Sequence, residues 1–224
     1  MATIHRLHPE NPQPRTIAQI VSALRGGAIM LYPTDTVYAI GCDLMSKSAI
    51  ERVRKLKQMS NDKPLTFLCS SLSNISEYAN VSDVNYRTMR SLVPGPFTFI
   101  LPATKLVPKL VLNPKRKTTG IRVPKHVTSQ AIVEALGNPI ISTSANLQEE
   151  DLEEQDFGDR DKNSKHRDVD NLPKMELFDY FEKIVDLIVD DGSDYHYEVS
   201  TILDLTDDLH PQILRQGLGK FLDK

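Results

Sequence analysis

The stretch IAQIVSALRGGAIMLYP, residues 17–33, determines the expected fold because it joins a helix directly to a buried strand. Its first apolar residues follow the i, i+3, i+4, i+7 spacing of one helix face: Ile17, Ile20, Val21 and Leu24. Gly26 and Gly27 come next, where a helix end favours a residue that can adopt a positive φ. Ala28–Tyr32 is then a continuous apolar run stopped by Pro33, which is typical of a fully buried strand.

Helix and strand patterns continue to alternate after this stretch. Ser46 is placed to cap a second helix, and Leu65–Cys69 follows as another buried strand. Further helices are predicted near Leu72–Ala79, Asp83–Leu92, Ser129–Leu136 and Leu177–Phe181. Further strands are predicted at Phe97–Leu101, Ile121–Val123, Pro139–Ser142, Ile184–Val189, Ser200–Leu205 and Gln212–Arg215. Because some of these strands follow one another without a helix, we expect an α/β fold with a mixed sheet, in one domain over residues 1–224.

The composition is that of a globular protein, with 40% hydrophobic and 25% charged residues in 224. The first residues contain no apolar signal segment, and no later run approaches the length of a membrane span. We therefore expect a cytoplasmic protein that does not enter a membrane. Cys42 and Cys69 are far apart and the six His residues have no ligand spacing, so we predict neither a disulfide framework nor a structural metal.

The charges are unevenly distributed along the chain. Residues 105–125 contain seven Lys or Arg and no acidic residue, and this basic strip is a candidate surface for RNA. Between Glu149 and Asp161 there are eight acidic residues and one Arg, a composition that cannot bury a core. We expect a mobile acidic loop at residues 148–171.

Polar residues follow two of the predicted strands. Thr34, Asp35 and Thr36 come directly after the strand that ends at Tyr32, at a sheet edge where α/β proteins bind ligands. The alternative is an ordinary turn, since Pro favours one and Asp caps it. The run from Ser142 to Asn146 follows a second buried strand and suits phosphate and ribose groups, although the same residue types also cap helices.

Cations are placed near the same predicted edge. Lys57 ends the second helix and Lys63 precedes the next strand, although a lysine at a helix end is usually solvated. Arg122 and Arg215 lie within apolar strand patterns, where an arginine needs an anionic partner. That partner is either a ligand carboxylate or phosphate, or an internal salt bridge.

Taken together, these segments resemble the YrdC-like family in kind and in order, from about Arg15 to Gly217. The matching segments are Tyr32–Tyr38, Lys57, Pro94–Thr98, Arg122–Pro124, Ser142–Asn146, Ser200–Ile202 and Arg215. The segments His8–Gln13, Lys115–Thr118 and Asp204–Asp208 are similar to the YciO branch of that family. The chain departs from the family's active synthases at one position, because their K-x-R motif corresponds here to Lys57-Gln58-Met59.

The resemblance implies a YrdC-like fold and an enzyme that makes L-threonylcarbamoyl-adenylate for tRNA modification. It implies L-threonine and bicarbonate as substrates together with ATP and Mg²⁺. By position, it implies catalytic roles for Lys57 and Arg122 and substrate contacts for Thr34, Thr36 and Lys63. The residues it assigns to the nucleotide are Ser142, Ser144, Asn146, Ser200 and Arg215.

Two other functions are compatible with the same residues. The basic strip and Met59 favour an RNA-binding protein, for tRNA or double-stranded RNA, whose chemistry has decayed. The same pocket would also permit simple hydrolysis of ATP or AMP. Met59 further predicts that any synthase activity is weak, because methionine cannot replace the two-point hydrogen bonding of arginine.

Overall fold

A computed structural model describes residues 1–56, 65–73, 75–113, 115–145, 174–193 and 198–221. The helices in these ranges are α1 (Pro14–Arg25), α2 (Lys47–Leu56), α3 (Asp83–Leu92), α4 (Val127–Leu136) and α5 (Lys174–Phe181). The first five strands are β1 (Thr3–Arg6), β2 (Ile29–Tyr32), β3 (Ala39–Asp43), β4 (Thr66–Leu68) and β5 (Phe97–Pro102). The others are β6 (Thr118–Arg122), β7 (Ile140–Ser144), β8 (Leu187–Asp190), β9 (Thr201–Asp204) and β10 (Gln212–Arg215). None of the helices described is long and apolar enough to span a bilayer.

The strands form one sheet in the order β1-β8-β2-β3-β7-β4-β6-β5-β9-β10. The neighbouring pairs β1–β8, β2–β8, β4–β6 and β5–β9 are parallel. The other neighbours are antiparallel. The predicted α/β fold with a mixed sheet is therefore confirmed.

Each face of the sheet has its own apolar core, because side chains alternate between the faces along a strand. On one face, strand residues such as Tyr32 and Ile140 pack with Ile20, Leu24 and Leu136 of α1 and α4. The other face carries Phe67, Phe99 and Ile121, which belong to a core that includes residues of α2, α3 and α5: Ile50, Val53, Met89, Leu177, Phe178 and Phe181. Full burial of a side chain of this size stabilises the fold by about 1.5–3 kcal/mol.

The helix ends follow the local signals in the sequence. Pro14 starts α1, and Gly27, with φ of 91°, follows its C-cap Gly26. The hydroxyl of Ser46 accepts a hydrogen bond from the Ala49 amide at 3.4 Å, as expected for the cap of α2. Strand β2, which follows α1, and strand β4, which follows α2, each begin within one residue of the predicted start.

Three elements differ from the sequence-based predictions. The helix predicted near Leu72–Ala79 is wrong, because the structure forms only a short 3₁₀ turn at Ile75–Glu77. Strands β1 and β3 were not predicted. The first pairs with β8, a partner almost the whole chain away, and the second is buried along its whole length and therefore lacks alternation.

Thr119 provides a test of the packing on β6. It is fully buried, and its Oγ1 has no hydrogen-bond partner among the residues that the structure describes. Because an unpaired buried hydroxyl is costly, Thr119→Val should raise the free energy of unfolding by about 1 kcal/mol, measured by urea denaturation. The control is Thr128→Val, which removes a hydroxyl that donates to buried Asp191 at 2.8 Å and should destabilise the protein. A loss of stability in Thr119→Val would show that this hydroxyl is satisfied.

Candidate functional site

A cavity of about 150 Å³ lies where β7, β4, β6, β5 and β9 meet the loops that follow β2 and precede β9. Seven of the residues lining it carry hydroxyl groups: Thr36, Thr66, Thr98, Ser142, Thr143, Ser144 and Ser200. Two more are Arg122 and Arg215, and the remainder are Val37, Ala39, Val199 and Ile202. Among these described residues there is no Asp or Glu, so the polar part of the lining consists of two cations and neutral hydroxyl groups.

The period of two along the strands brings the hydroxyls together. Ser142 and Thr66 are register partners on β7 and β4, while the residues beside them, Ile141 and Phe67, lie in the core on the opposite face. Helices α1 and α4 pack over the half of this face that contains Tyr32 and Ile140. Polar side chains occupy the part of this face around the cavity. Because α1 and α4 pack over the other half, this part remains accessible to a ligand.

Arg122 is the most buried cation of the cavity, with 9% of its surface exposed. Its Nη2 donates to Asp35 Oδ1 at 2.6 Å and to Thr36 Oγ1 at 2.7 Å. The internal salt bridge that the sequence left open is therefore present, with both side chains about nine-tenths buried. The Nε of Arg122 is buried and has no partner among the described residues.

The Pro33–Tyr38 segment is both a turn and part of the cavity wall. Thr34 Oγ1 donates to the Val37 carbonyl at 2.8 Å, and the Thr36 amide donates back to Thr34 Oγ1 at 3.1 Å. Asp35 Oδ2 accepts a hydrogen bond from the Lys125 amide at 3.0 Å. Thr36 lines the cavity, whereas Thr34 stabilises the turn and is not among the lining residues.

Ser142 and Ser144 both line the cavity, as their predicted role requires. Ser142 Oγ is 2.7 Å from the hydroxyl of Tyr32, and the pair is buried. Ser144 pairs with Ala39 of β3, and the next amide, that of Ala145, donates to the Tyr38 carbonyl at 2.9 Å. These contacts attach the end of β7 to the Pro33–Tyr38 segment.

Ser200 and Arg215 meet on the opposite side of the cavity. Ser200 Oγ is 2.9 Å from Thr98 Oγ1, and Arg215 Nη2 donates to the Ser200 carbonyl at 2.9 Å. The premise that Arg215 lies in a buried strand is wrong, because all four residues of β10 are exposed. Partial burial, and then the positive charge of Arg122, lower the pKa of Arg215, so the two arginines influence each other across one cavity.

Several predicted residues lie outside the part of the chain that the structure describes: Lys57, Met59, Lys63, Asn146 and the acidic loop at residues 148–171. Their assignments stay predictions. The basic strip is divided in the structure, because Arg122 is buried in the cavity wall and Arg116 pairs with Asp204 at 2.5 Å. The five lysines of the strip are exposed: Lys105, Lys109, Lys115, Lys117 and Lys125.

The structure adds three residues that the sequence did not single out for a role, and it gives a fourth, Asp35, a specific partner. Thr66 and Thr98 line the cavity, Asp35 holds Arg122, and Tyr32 contacts Ser142. The signal for Thr66 and Thr98 is a hydroxyl inside an otherwise apolar strand. Asp35 and Tyr32 belong to the segment that was quoted, but only the folded chain shows which side chains they contact.

Comparison with known proteins shows where this fold occurs. The family model Sua5_yciO_yrdC, described as "Telomere recombination", matches residues 22–168. The Escherichia coli K12 protein YciO is 40% identical over 219 residues, which cover 98% of this chain and 97% of that protein. A threonylcarbamoyl-AMP synthase of Vibrio vulnificus YJ016 is 33% identical over 134 residues, which cover 58% of this chain and 72% of the synthase.

Solved structures agree with these relatives. The crystal structure of E. coli YciO superposes with a TM-score of 0.82 at 39% identity and covers 98% of both chains. P. abyssi Sua5 complexed with L-threonine has the same fold, with a TM-score of 0.78 at 23% identity over 96% of this chain and 58% of Sua5. The chain belongs to the Sua5/YciO/YrdC family, which includes threonylcarbamoyl-AMP synthases.

Proposed function

We propose that this protein is a nucleotidyltransferase that forms L-threonylcarbamoyl-adenylate from L-threonine, bicarbonate and ATP, as a step in tRNA modification. The observation that carries the proposal is the cavity lining, which contains two arginines, seven hydroxyl residues and, among the described residues, no carboxylate. Such a lining suits a ligand rich in negative charge and hydrogen-bond acceptors. Both ATP and a carbamate anion have these properties.

The reaction joins a carbamate to an adenylyl group. The threonine amine and bicarbonate give the threonine carbamate with loss of water, and an oxygen of the carbamate group attacks the α-phosphorus of ATP. The bond from that phosphorus to the oxygen bridging to the β-phosphate breaks, and pyrophosphate leaves with the electron pair. No side chain needs to form a covalent bond, so catalysis depends on positioning the reactants and on neutralising charge.

The residues divide into two groups according to the substrate that we assign to them. Arg122 and Thr36 hold the acid, and the guanidinium of Arg122 supplies the positive charge that an anionic oxygen needs. Ser142, Ser144, Ser200 and Arg215 hold the nucleotide. Thr34 contributes by supporting Thr36, while Asn146, Lys57 and Lys63 add the amide and the two cations that the family resemblance implies.

The ATP would bring Mg²⁺ with it. Among the described residues there is no group of three His, Cys, Asp or Glu side chains that would form a metal cage. This donor set fits Mg²⁺ bound mainly through the phosphate oxygens, which is its usual mode in nucleotide sites. The protein would then contact the nucleotide through hydroxyls and arginines.

Two relatives support this choice of substrates. The Vibrio vulnificus relative is a threonylcarbamoyl-AMP synthase, and P. abyssi Sua5 is complexed with L-threonine in its crystal structure. The similarity to E. coli YciO covers almost the whole chain, but it does not indicate a substrate.

The test is pyrophosphate release by the purified protein, with mass spectrometry of the nucleotide product. Release should require ATP, threonine and bicarbonate together, and the product should have the mass of threonylcarbamoyl-adenylate. Release that continues when threonine is omitted would instead identify an ATP hydrolase, and AMP as the sole nucleotide product would support the same conclusion.

RNA binding is the second candidate, and the five exposed lysines of the basic strip favour it. Each phosphate contact releases counterions, so affinity for tRNA or double-stranded RNA should fall steeply as salt increases. An affinity for tRNA that stays flat between low and moderate salt would remove this candidate.

A further inference from the structure

Tyr32 is the last residue of β2, and its side chain is fully buried. Tyr32 is not among the residues that line the cavity. Its hydroxyl lies 2.7 Å from the Oγ of Ser142, which does line the cavity. A ligand in the cavity therefore meets Ser142 directly and can be affected by Tyr32 only through Ser142.

The direction of this hydrogen bond follows from what each hydroxyl can reach. Burial raises the pKa of Tyr32, so the phenol keeps its proton. Within the described residues, Ser142 Oγ is the one hydrogen-bond partner of that phenol. If Ser142 were the donor, the phenolic hydrogen would be buried without an acceptor, an arrangement that folded proteins avoid. Tyr32 therefore donates and Ser142 accepts.

We propose that Tyr32 is a positioning residue that acts through Ser142, because its hydroxyl occupies a Ser142 lone pair and directs the Ser142 hydrogen toward the ligand. The proposal rests on the proposed function in one respect, namely that the ligand is a nucleotide. Ser142 then serves as a donor, and the ligand atom that it meets is an acceptor, such as a phosphate oxygen or a ring nitrogen.

Thr36 also has a lone pair occupied by a protein donor. Its Oγ1 accepts a hydrogen bond from Arg122 Nη2 at 2.7 Å, so a lone pair of this hydroxyl is also occupied by a protein donor. The hydrogen of Thr36, however, has Thr34 Oγ1 within reach at 3.2 Å, and Thr34 itself donates to the Val37 carbonyl. Of these two hydroxyls, Ser142 is therefore the one that presents its hydrogen to the ligand.

The test is a double-mutant cycle on ATP affinity, measured by isothermal titration calorimetry with Tyr32→Phe, Ser142→Ala and the double variant. Tyr32→Phe removes one oxygen and keeps the ring, so the packing of β2 is preserved. It should weaken ATP binding roughly three- to tenfold, the usual effect of losing one oriented hydrogen bond. In the Ser142→Ala background, the same change should cause no further loss.

A stability measurement tests the contact without any ligand. Ser142→Ala leaves the phenolic hydrogen of Tyr32 unpaired, and adding Tyr32→Phe should recover most of a melting-temperature loss of roughly 2–4 °C. Thr119→Val is the matched control for the affinity measurement. It also removes a buried hydroxyl, but from the opposite face of the sheet, so ATP affinity should be unchanged.

The outcomes separate this inference from the proposed function. Equal losses of ATP affinity from Tyr32→Phe with and without Ser142 would overturn the positioning role, and so would unchanged affinity in Tyr32→Phe. If the cycle is non-additive as expected but the wild type releases no threonine-dependent pyrophosphate, the role of Tyr32 stands and the proposed synthase is wrong.

Discussion

Arg122→Ala should lower threonine-dependent pyrophosphate release by roughly 10²–10³-fold, the usual cost of removing one oriented charge from a reacting anion. The variant removes the most buried cation of the cavity, whose Nε has no partner among the described residues. It also leaves Asp35 buried without its ion-pair partner, since the side chain of Asp35 is only 10% exposed. Breaking a buried pair in this way costs about 3–5 kcal/mol of stability, so thermal melting must be measured together with turnover.

The double variant Arg122→Ala/Asp35→Asn separates folding from chemistry. Removing the Asp35 charge as well eliminates the unpaired carboxylate, so much of the lost stability should return. Turnover should stay low, because the cation that faces the substrate is still missing. If turnover returns toward the wild-type rate together with stability, Arg122 acts only by supporting the Pro33–Tyr38 segment.

The sequence predicted most of the fold because local signals and burial agree along much of the chain. The helix end at Gly26-Gly27 and the buried run Ile29–Tyr32 both appear where the pattern places them. The missed strand β3 has the sequence AIGCD and is buried throughout, so neither alternation nor strong strand propensity identifies it. Only its pairing between β2 and β7 determines that it is a strand.

The sequence also identified residues of the cavity, but it could not assign their partners. The resemblance to the YrdC-like family assigned Thr36, Ser142 and Arg215 to one site, and all three line one cavity. The sequence left the partner of Arg122 open between a ligand and an internal carboxylate. Asp35 is that partner because β6 and the segment after β2 lie next to each other in the folded chain. A contact between segments so far apart in the sequence leaves no local pattern.

Met59 is the clearest departure from the motif that the family resemblance implies, and Met59→Arg should raise threonine-dependent adenylate formation by up to roughly a hundredfold. An arginine fork holds a carboxylate or phosphate through two parallel hydrogen bonds, whereas methionine offers an apolar thioether chain. One charge-assisted contact to a reacting group is worth about 2–4 kcal/mol in transition-state energy. The wild type should therefore be a slow synthase, and the gain should be largest at limiting threonine.

Met45→Arg is the matched control for Met59→Arg, because it adds the same charge at a methionine that is 76% exposed and does not line the cavity. If the added positive charge simply attracts ATP, the rate of adenylate formation should rise equally in both variants. If the arginine restores the two-point hydrogen bonding, the rate should rise only in Met59→Arg. Lys63 cannot supply the missing geometry in the wild type, since an ammonium is a point charge without a planar fork. If Met59→Arg leaves the threonine-dependent rate unchanged or lowers it, the cavity is not a weakened synthase site, and a different acid or plain nucleotide hydrolysis becomes the better explanation of its two arginines and hydroxyl lining.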